Sequence, residues 1–187
     1  MRVIAGSHGG RRLKAPNGRR TRPTSDRVRE ALFAMLGELS GEHVLDLFAG
    51  TGALGIEALS RGAERAVFVE RDHGAARVLS ENLASLDIDP RVGELRRADA
   101  LGALRSAKQR QETYDLIFID PPYGQAREWG SELSETLPTL LTPQGRIVVE
   151  SDRRTPLQLG LPLITERRYG DTSIRIHAST CPDQPAL

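Results

Sequence analysis

The chain has 187 residues, of which 39% are hydrophobic and 27% are charged, and this is enough to bury the core of one domain. It contains a single cysteine, which excludes an intramolecular disulfide and favours a reducing compartment. No N-terminal signal-like apolar region and no long apolar run are present, so we expect a soluble, cytoplasmic protein that does not bind membranes.

Basic residues are concentrated at the start of the chain, although the formal net charge is only +1. Residues 1 to 24, called here the N-terminal arm, hold no acid and seven basic side chains: Arg2, Arg11, Arg12, Lys14, Arg19, Arg20 and Arg22. The rest of the chain has 19 basic and 25 acidic residues, so an arm of charge +7 precedes a body of charge −6. This asymmetry favours binding to nucleic acid phosphates over the alternative of a solvated tail.

The arm is predicted to form a small β-hairpin that presents its arginines. Two short strand-like runs, Arg2 to Ala5 and Arg11 to Ala15, flank a turn rich in glycine. A helix should follow, because apolar residues recur at helical spacing from Val28 to Leu36, and Thr24 or Ser25 can cap its start.

The stretch from Asp46 to Gly55 predicts a nucleotide-binding turn between a strand and a helix. It follows the apolar pair Val44-Leu45 and contains the pattern Gly-x-Gly-x-x-Gly, after which a helix should run from Ala53 to Arg61. The pattern also fits the pyrophosphate loop of an NAD enzyme. Asp46 favours a ligand that carries an ammonium group, as S-adenosylmethionine does, because a carboxylate would repel a pyrophosphate.

Two further acids are predicted at the same edge of a parallel sheet. Glu70 ends the apolar run Ala66 to Val69, where an acid can hold both ribose hydroxyls of either cofactor. A helix from about His73 to Leu86 and a weaker strand from Val92 to Arg97 come next. Asp99 follows that strand, where it can bind an adenine amino group, cap the next helix, or do both.

The sequence Asp120-Pro121-Pro122-Tyr123 favours S-adenosylmethionine over NAD. It directly follows the apolar run Leu116 to Ile119, and two consecutive prolines end a strand in a stiff extended loop. The loop should therefore direct Asp120 and Tyr123 to the carboxyl edge of the sheet, where open α/β folds bind ligands.

The last elements are predicted to close the sheet with antiparallel strands. A helix from about Glu128 to Leu141 and a strand from Arg146 to Glu150 come first. The runs Leu163 to Tyr169 and Ser173 to His177 then flank Gly170-Asp171, which is a hairpin signal.

Taken in order, these motifs resemble the class I S-adenosylmethionine-dependent methyltransferases, and among them the RsmD family, whose members methylate the N2 amine of one guanine in bacterial 16S ribosomal RNA. The motifs that carry the resemblance are Met1 to Gly6, Gly10 to Leu13, Thr21 to Thr24, Asp26 to Phe33, Asp46 to Gly62, Asp120 to Tyr123 and Tyr169 to Thr172. The resemblance implies a Rossmann-like α/β fold, with a mostly parallel sheet closed by a C-terminal antiparallel hairpin. It divides the chain into the arm (1–24), a methyltransferase domain (25–178) and a tail (179–187), whose prolines favour fraying.

The resemblance also implies where each ligand binds. The residues expected to bind S-adenosylmethionine are Asp46, Phe48, Gly50, Thr51, Gly52, Glu70, Arg71, Asp99, Ala100 and Asp120. Asp120, Pro121 and Tyr123 would be the catalytic residues, and no metal is required. The RNA and its target base would be bound by the seven basic residues of the arm together with Thr24, Pro122 and Tyr123. The expected partner is 16S ribosomal RNA within a small-subunit particle, bound by a monomer of this chain.

The chemistry of an aryl amine accounts for these residue types. Its lone pair is delocalised into the ring, so the amine is a poor nucleophile. If the Asp120 carboxylate and the Pro121 carbonyl each accept one N–H, the lone pair turns towards the methyl group, and alignment of this kind is worth up to ~7–11 kcal/mol. The base must also leave its stack, at a cost of a few kcal/mol, and stacking on Tyr123 can return about 1–3 kcal/mol.

Other functions remain open from the sequence. A DNA methyltransferase, acting on adenine N6 or on cytosine, would use the same fold and loop, but the chain has no extra domain to read base edges. Cytosine-C5 transfer needs a nucleophilic cysteine, and the only one, Cys181, falls in the tail. A small-molecule or protein methyltransferase leaves the arm unexplained, and a non-enzymatic ribosome-assembly factor leaves the motif at 120–123 unexplained. An NAD oxidoreductase is the last alternative.

Overall fold

The computed structural model describes residues 1–15, 26–121, 126–154 and 156–179. The expected helix caps Thr24 and Ser25, and the tail beyond Ser179, lie outside the described residues. The described elements are α1 (Asp26–Leu36), β1 (His43–Asp46), α2 (Ala53–Ser60), β2 (Arg65–Val69), α3 (His73–Ser85), β3 (Gly93–Arg96), α4 (Ala100–Gln109), β4 (Tyr114–Ile119), α5 (Ala126–Thr136), β5 (Leu141–Asp152), β6 (Leu163–Tyr169) and β7 (Thr172–Ala178).

The seven strands form one sheet in the order β3-β2-β1-β4-β5-β7-β6. Strands β1 to β5 pair in parallel, whereas β7 pairs antiparallel with both β5 and β6. The predicted α/β class, with a mostly parallel sheet and an antiparallel hairpin at its end, is therefore confirmed. The order reverses between β1 and β4, and such a reversal opens a crevice at the carboxyl ends of the strands. Since open α/β folds bind their ligands in this crevice, we expect the functional site at the carboxyl ends of β1 and β4.

The core lies on both faces of the sheet, as the nearly continuous apolar strands predict. Strand β4 illustrates this arrangement, because Leu116 and Phe118 pack on one face while Ile117 and Ile119 pack on the other. The first face is covered by α1, α2, α3 and part of the arm, and the second by α4 and α5. Both surfaces of the central strands are thus buried, so only their ends reach solvent.

Two boundaries near the end of the chain differ from the prediction. The helix expected to reach Leu141 ends as α5 at Thr136, and a single 3₁₀ turn covers Leu137–Leu140. Pro138 stands at the start of this turn, where its missing N–H and its ring prevent continuation of the α-helix. Strand β5 then begins at Leu141 rather than Arg146, with a register shift against β4.

The described part of the arm packs against the domain instead of extending from it. Its two predicted runs pair antiparallel around the bridge between Arg2 and Arg12, with backbone hydrogen bonds from the Val3 N–H to the Arg11 carbonyl oxygen and from the Leu13 N–H to the Met1 carbonyl oxygen. Val3 and Leu13 beside that bridge are buried in the same cluster as α1 and α2. None of the described helices combines the length and the apolar character that a membrane crossing requires.

Candidate active site

Asp46 lies at the carboxyl end of β1, directly beneath the glycine-rich loop. Its side chain is only 2% exposed, and its Oδ2 accepts a hydrogen bond of 3.0 Å from the Gly55 N–H in the first turn of α2. Burial raises the pKa of Asp46 to about 7, and the nearby charge of Glu70 adds to this effect, whereas the Gly55 hydrogen bond opposes it. A buried carboxylate of this kind is stabilised by a cationic ligand group.

The glycine-rich loop leaves room above its backbone. Gly50 and Gly52 both have a positive φ, 54° and 85°, which side chains rarely tolerate. A Cβ added to Gly50 would meet nothing within 4 Å, whereas one added to Gly52 would come within 2.3 Å of the Leu79 side chain. Gly52 therefore allows close packing against Leu79 of α3, while Gly50 borders open space where a ligand can approach the backbone.

Glu70 lies at the end of β2 and connects two loops of the sheet edge. Its carboxylate accepts hydrogen bonds from the N–H of Gly50 at 2.9 Å and from the N–H of Asp72 at 2.6 Å. The glycine-rich loop is thus held against the next strand. Neighbouring Arg71 is exposed.

Asp99 lies further out along the sheet, after β3. It is exposed, and its Oδ1 accepts a hydrogen bond of 2.8 Å from the Gly102 N–H, so it is the N-cap of α4. Ala100, the first residue of that helix, is buried. The capping role considered from the sequence is therefore observed, and the adenine contact stays a prediction.

Asp120 and Pro121 follow β4, next to Asp46 at the point where the strand order reverses. In the register of the two strands Asp46 pairs with Phe118, two residues before Asp120. Asp120 is exposed at the edge of the sheet, and Pro121 is buried. The surrounding protein, followed by the charges of Glu150 and Asp46, raises the pKa of Asp120 well above its ordinary value, and water at the exposed carboxylate screens part of that effect.

An aromatic stack joins the segment between β1 and the glycine-rich loop to α5, the helix that follows Asp120. The rings of Phe48 and Trp129 have centroids 5.0 Å apart and planes inclined by 12°. Phe48 follows β1 and Trp129 lies on α5, and both are half-buried against the second face of the core. The stack therefore fixes the start of α5 relative to the glycine-rich loop.

The first turn of the arm is held by α2. Glu57 is fully buried, and its two carboxylate oxygens accept hydrogen bonds from the N–H of Ile4 at 2.7 Å and of Ala5 at 3.1 Å. Gly6 follows with a φ of 82°, and a Cβ at this position would lie 1.7 Å from the carbonyl oxygen of Ser60. The arm thus approaches α2 as closely as only glycine allows.

The end of the described arm is held by α3 through Asn82, whose side chain is 1% exposed. Its Oδ1 accepts from the Lys14 N–H at 2.8 Å, and its Nδ2 donates to the carbonyl oxygens of Lys14 at 3.2 Å and of Thr51 at 3.0 Å. Thr51 belongs to the glycine-rich loop. One buried amide therefore contacts both the arm and the proposed cofactor loop.

Basic side chains of the arm lie on the outside of this docked segment. Arg2, Arg11, Arg12 and Lys14 are all exposed, and Arg11 donates to the carbonyl oxygen of Ser85 at 2.6 Å. The remaining residues predicted to bind RNA or the target base lie outside the described residues; they are Arg19, Arg20, Arg22, Thr24, Pro122 and Tyr123.

Buried polar residues near the site that sequence reasoning did not single out include Glu57, Asn82 and Glu150. The first two lie on helices and bind a segment that is distant in the sequence, so no local pattern marks them. Glu150 does carry a signal, because it directly follows the apolar run Ile147 to Val149, just as Asp46 and Asp120 directly follow apolar runs of β1 and β4.

Known proteins that are named as methyltransferases are similar to this chain over nearly its whole length. A protein from Bacillus subtilis named "Putative rRNA methyltransferase YlbH" is 41% identical over 181 residues, covering 95% of this chain and 98% of that protein. The Haemophilus influenzae protein named "Ribosomal RNA small subunit methyltransferase D" is 36% identical over 182 residues, covering 95% and 93%. A solved Escherichia coli structure, described as "Putative methyltransferase yhhF", superposes with a TM-score of 0.79 at 33% identity and covers 95% of this chain and 97% of that one.

The family described as "Conserved hypothetical protein 95" matches residues 1–178. This range includes the described arm, the glycine-rich loop and the loop after β4, and it ends at the last residue of β7. The chain therefore belongs to this family, the RsmD family of methyltransferases.

Proposed function

We propose that this protein transfers a methyl group from S-adenosylmethionine to the exocyclic N2 amine of a guanine in 16S ribosomal RNA. The observation that carries the proposal is the position of Asp46 and Asp120 at the ends of adjacent strands, on either side of the point where the strand order reverses. Asp46 suits the ammonium group of the cofactor, and Asp120 suits the target amine beside the cofactor. Names of relatives support the nucleic acid, since the Haemophilus influenzae protein is named as a ribosomal RNA small subunit methyltransferase.

The residues around the glycine-rich loop fit S-adenosylmethionine. Buried Asp46 offers a negative charge to an ammonium group, Glu70 offers carboxylate oxygens at the end of the next strand, and the space above Gly50 lets a ligand approach the backbone. Phe48, Thr51, Gly52, Arg71, Asp99 and Ala100 complete the proposed cofactor site. When bound, S-adenosylmethionine supplies an electrophilic methyl group on a sulfonium.

The roles of the loop after β4 follow from hydrogen bonding. The Asp120 carboxylate and the Pro121 carbonyl accept the two N–H groups of the amine, so the lone pair points away from both acceptors. Because proline fixes the backbone, the carbonyl of residue 121 keeps its direction. The raised pKa of Asp120 also makes this carboxylate a suitable acceptor for the proton that the amine loses. Pro122 and Tyr123 are proposed to contact the base.

The arm is proposed to bind RNA phosphates through Arg2, Arg11, Arg12 and Lys14, together with Arg19, Arg20, Arg22 and Thr24. Its described basic side chains are exposed, whereas its backbone is fixed by Glu57 and Asn82. An electrostatic surface of this kind binds by charge and shape and needs few aromatic platforms. We propose that residues 1–24 bind RNA, that residues 25–178 catalyse transfer, and that a monomer acts on a small-subunit particle in the cytoplasm.

Methyl transfer from labelled S-adenosylmethionine tests the proposal. Three substrates are compared: unmodified 16S RNA, small subunits that lack the modification, and duplex DNA. The products are digested to nucleosides and identified by mass, and N2-methylguanosine from either ribosomal sample is the expected product. Label found only in DNA, as N6-methyladenosine or a methylcytosine, would overturn the substrate, and no label in any sample would overturn the activity.

The variant Asp120→Ala separates catalysis from cofactor binding. It should abolish transfer while calorimetry gives a dissociation constant for S-adenosylmethionine within about threefold of the wild type. Loss of cofactor binding in this variant would contradict the role assigned to Asp120.

A further inference from the structure

Glu150 is a further acid at the carboxyl edge of the sheet, and its neighbour there is Asp120. The register of β4 and β5 pairs Phe118 with Val148 and pairs Ile119, the last residue of β4, with Val149. Asp120 directly follows β4 and Glu150 directly follows Val149, so this register directs the two acids towards each other, and the charge of Glu150 acts on Asp120. Phe118 and Val148 pack in the same core cluster. Since side chains two residues apart lie on the same face of a strand, Asp120 and Glu150 project towards that same face.

Glu150 is unusual because its carboxyl group is buried next to another acid. It is 7% exposed, and glutamate is seldom buried to this extent. One neighbour is another acid, and the charge of Glu150 is a cause of the raised pKa of Asp120. Two adjacent carboxylates repel each other, so this pair is suited to an occupant that brings several hydrogen-bond donors.

Guanine has such a donor edge. Its N1–H lies next to the N2 amine, so three hydrogens project from adjacent atoms, of which Asp120 and Pro121 are assigned two. Adenine has an acceptor at N1, beside its N6 amine. A carboxylate facing this atom therefore binds guanine and repels adenine.

We propose that Glu150 accepts the N1–H of the target guanine, next to the N2 amine held by Asp120 and Pro121, and so determines guanine specificity. The inference rests on the proposed function, since it assumes guanine as the substrate. A carboxylate has room for more than one donor, so this role is compatible with other contacts of Glu150. Sites built to bind a substrate N–H discriminate strongly against analogues without it, because the buried acceptor is left unpaired.

The test compares guanine with 2-aminopurine, which keeps the amine at C2 but has an acceptor at N1. Small-subunit RNA is assembled by ligation with either base at the one position that the wild-type protein methylates. We expect wild-type kcat/KM to be at least about 100-fold lower on 2-aminopurine than on guanine. In Glu150→Gln the amide can donate to the acceptor at N1, so the preference for guanine should fall by at least about tenfold.

A matched control is Asp152→Asn on the same strand, which should leave the preference for guanine unchanged. 2-Aminopurine also lacks O6, and therefore the evidence is the change in preference between Glu150→Gln and the wild type, because loss of O6 affects both proteins alike. Glu150→Asp, which keeps the charge but withdraws it by one methylene, should lower kcat/KM on guanine without relaxing the preference.

Two results would overturn the inference. The first is an unchanged preference in a folded Glu150→Gln protein that still binds cofactor. The second needs no variant: a wild-type protein that methylates 2-aminopurine as efficiently as guanine does not use the N1–H. Failure of the proposed function looks different, because the wild type then forms no N2-methylguanosine on either ribosomal substrate.

Discussion

Replacing Asp46 by asparagine should stabilise the ligand-free protein at alkaline pH and weaken cofactor binding. Burial raises the pKa of Asp46 to about 7 from its ordinary value of 3.8. The unfolded chain thus loses this proton near pH 4, whereas the folded protein keeps it up to about pH 7. The contribution of Asp46 to the free energy of unfolding therefore falls as the pH rises through this window, and it is constant above it. Asparagine is neutral throughout, and its amide oxygen can still accept the hydrogen bond from the Gly55 N–H.

The expected size follows from the same shift. One pKa unit corresponds to about 1.36 kcal/mol, so between pH 5 and pH 8 the wild type loses about 2–3 kcal/mol of unfolding free energy that the variant keeps. Urea unfolding of both ligand-free proteins at the two pH values measures this quantity. Because the comparison is made within each protein, any change in packing caused by the substitution cancels.

Cofactor binding supplies the second half of the test. Calorimetry at pH 8 should give a dissociation constant for S-adenosylmethionine at least about tenfold weaker in Asp46→Asn, since the variant has no charge to oppose the ammonium group. In the wild type, binding at pH 7 should release about half a proton, which titrations in two buffers of different ionisation enthalpy detect. A stability difference that is the same at pH 5 and pH 8, or binding without proton release, would refute the reasoning.

Three further predictions concern the arm and the aromatic stack. The pair of substitutions Arg11→Ala and Arg12→Ala should weaken RNA binding and reduce the slope of log K against log salt by about 0.7–0.9 for each phosphate that is no longer neutralised; an unchanged slope would remove these residues from the RNA site. Asn82→Ala should lower the unfolding free energy in urea by about 2–4 kcal/mol, because it leaves buried backbone groups unpaired, and a decrease below about 0.5 kcal/mol would contradict the anchoring role of the Asn82 amide. Trp129→Ala should lower kcat more than it changes cofactor affinity, because Phe48 no longer fixes the start of α5, and Trp129→Phe should restore most of the rate; an equal decrease in both variants would argue against a stacking role.

Much of the fold was predictable because its strands are apolar runs with clear ends. β1, β2 and β4 are buried on both faces, so each reads as a short continuous hydrophobic stretch, and the acid or glycine after it marks the edge of the sheet. The hairpin at Gly170 was equally clear, because Gly170-Asp171 separates two strand-like runs, and the structure gives Gly170 a φ of 60°, which glycine tolerates. The end of α5 was missed because its apolar periodicity continues past Pro138, although the backbone cannot.

The candidate site was predictable to the extent that it follows strand ends. Asp46, Glu70 and Asp120 stand where their strands stop, and a parallel sheet brings such ends together. The proximity of Asp120 to Glu150 depends on β5 lying next to β4, which a pattern along the chain does not specify. The role of Asn82 was harder still to predict from the sequence. Its partner Lys14 is 68 positions away, and nothing else distinguishes Asn82 from an ordinary polar residue of a helix.

The docked arm changes how its function has to be tested. A sequence with seven basic residues and no acid suggests a detachable tail, yet Val3 and Leu13 belong to the core and Glu57 binds the arm backbone. Removing residues 1–20 would expose that apolar surface and remove two of the hydrogen-bond donors of the fully buried Glu57 carboxylate, and both changes destabilise the fold. Deletion would therefore confound loss of RNA binding with loss of folding. Because the exposed arginines lie outside these buried anchors, substituting their charges changes the electrostatic surface and leaves the anchors intact, which makes the salt dependence of RNA binding the cleaner measure of what the arm does.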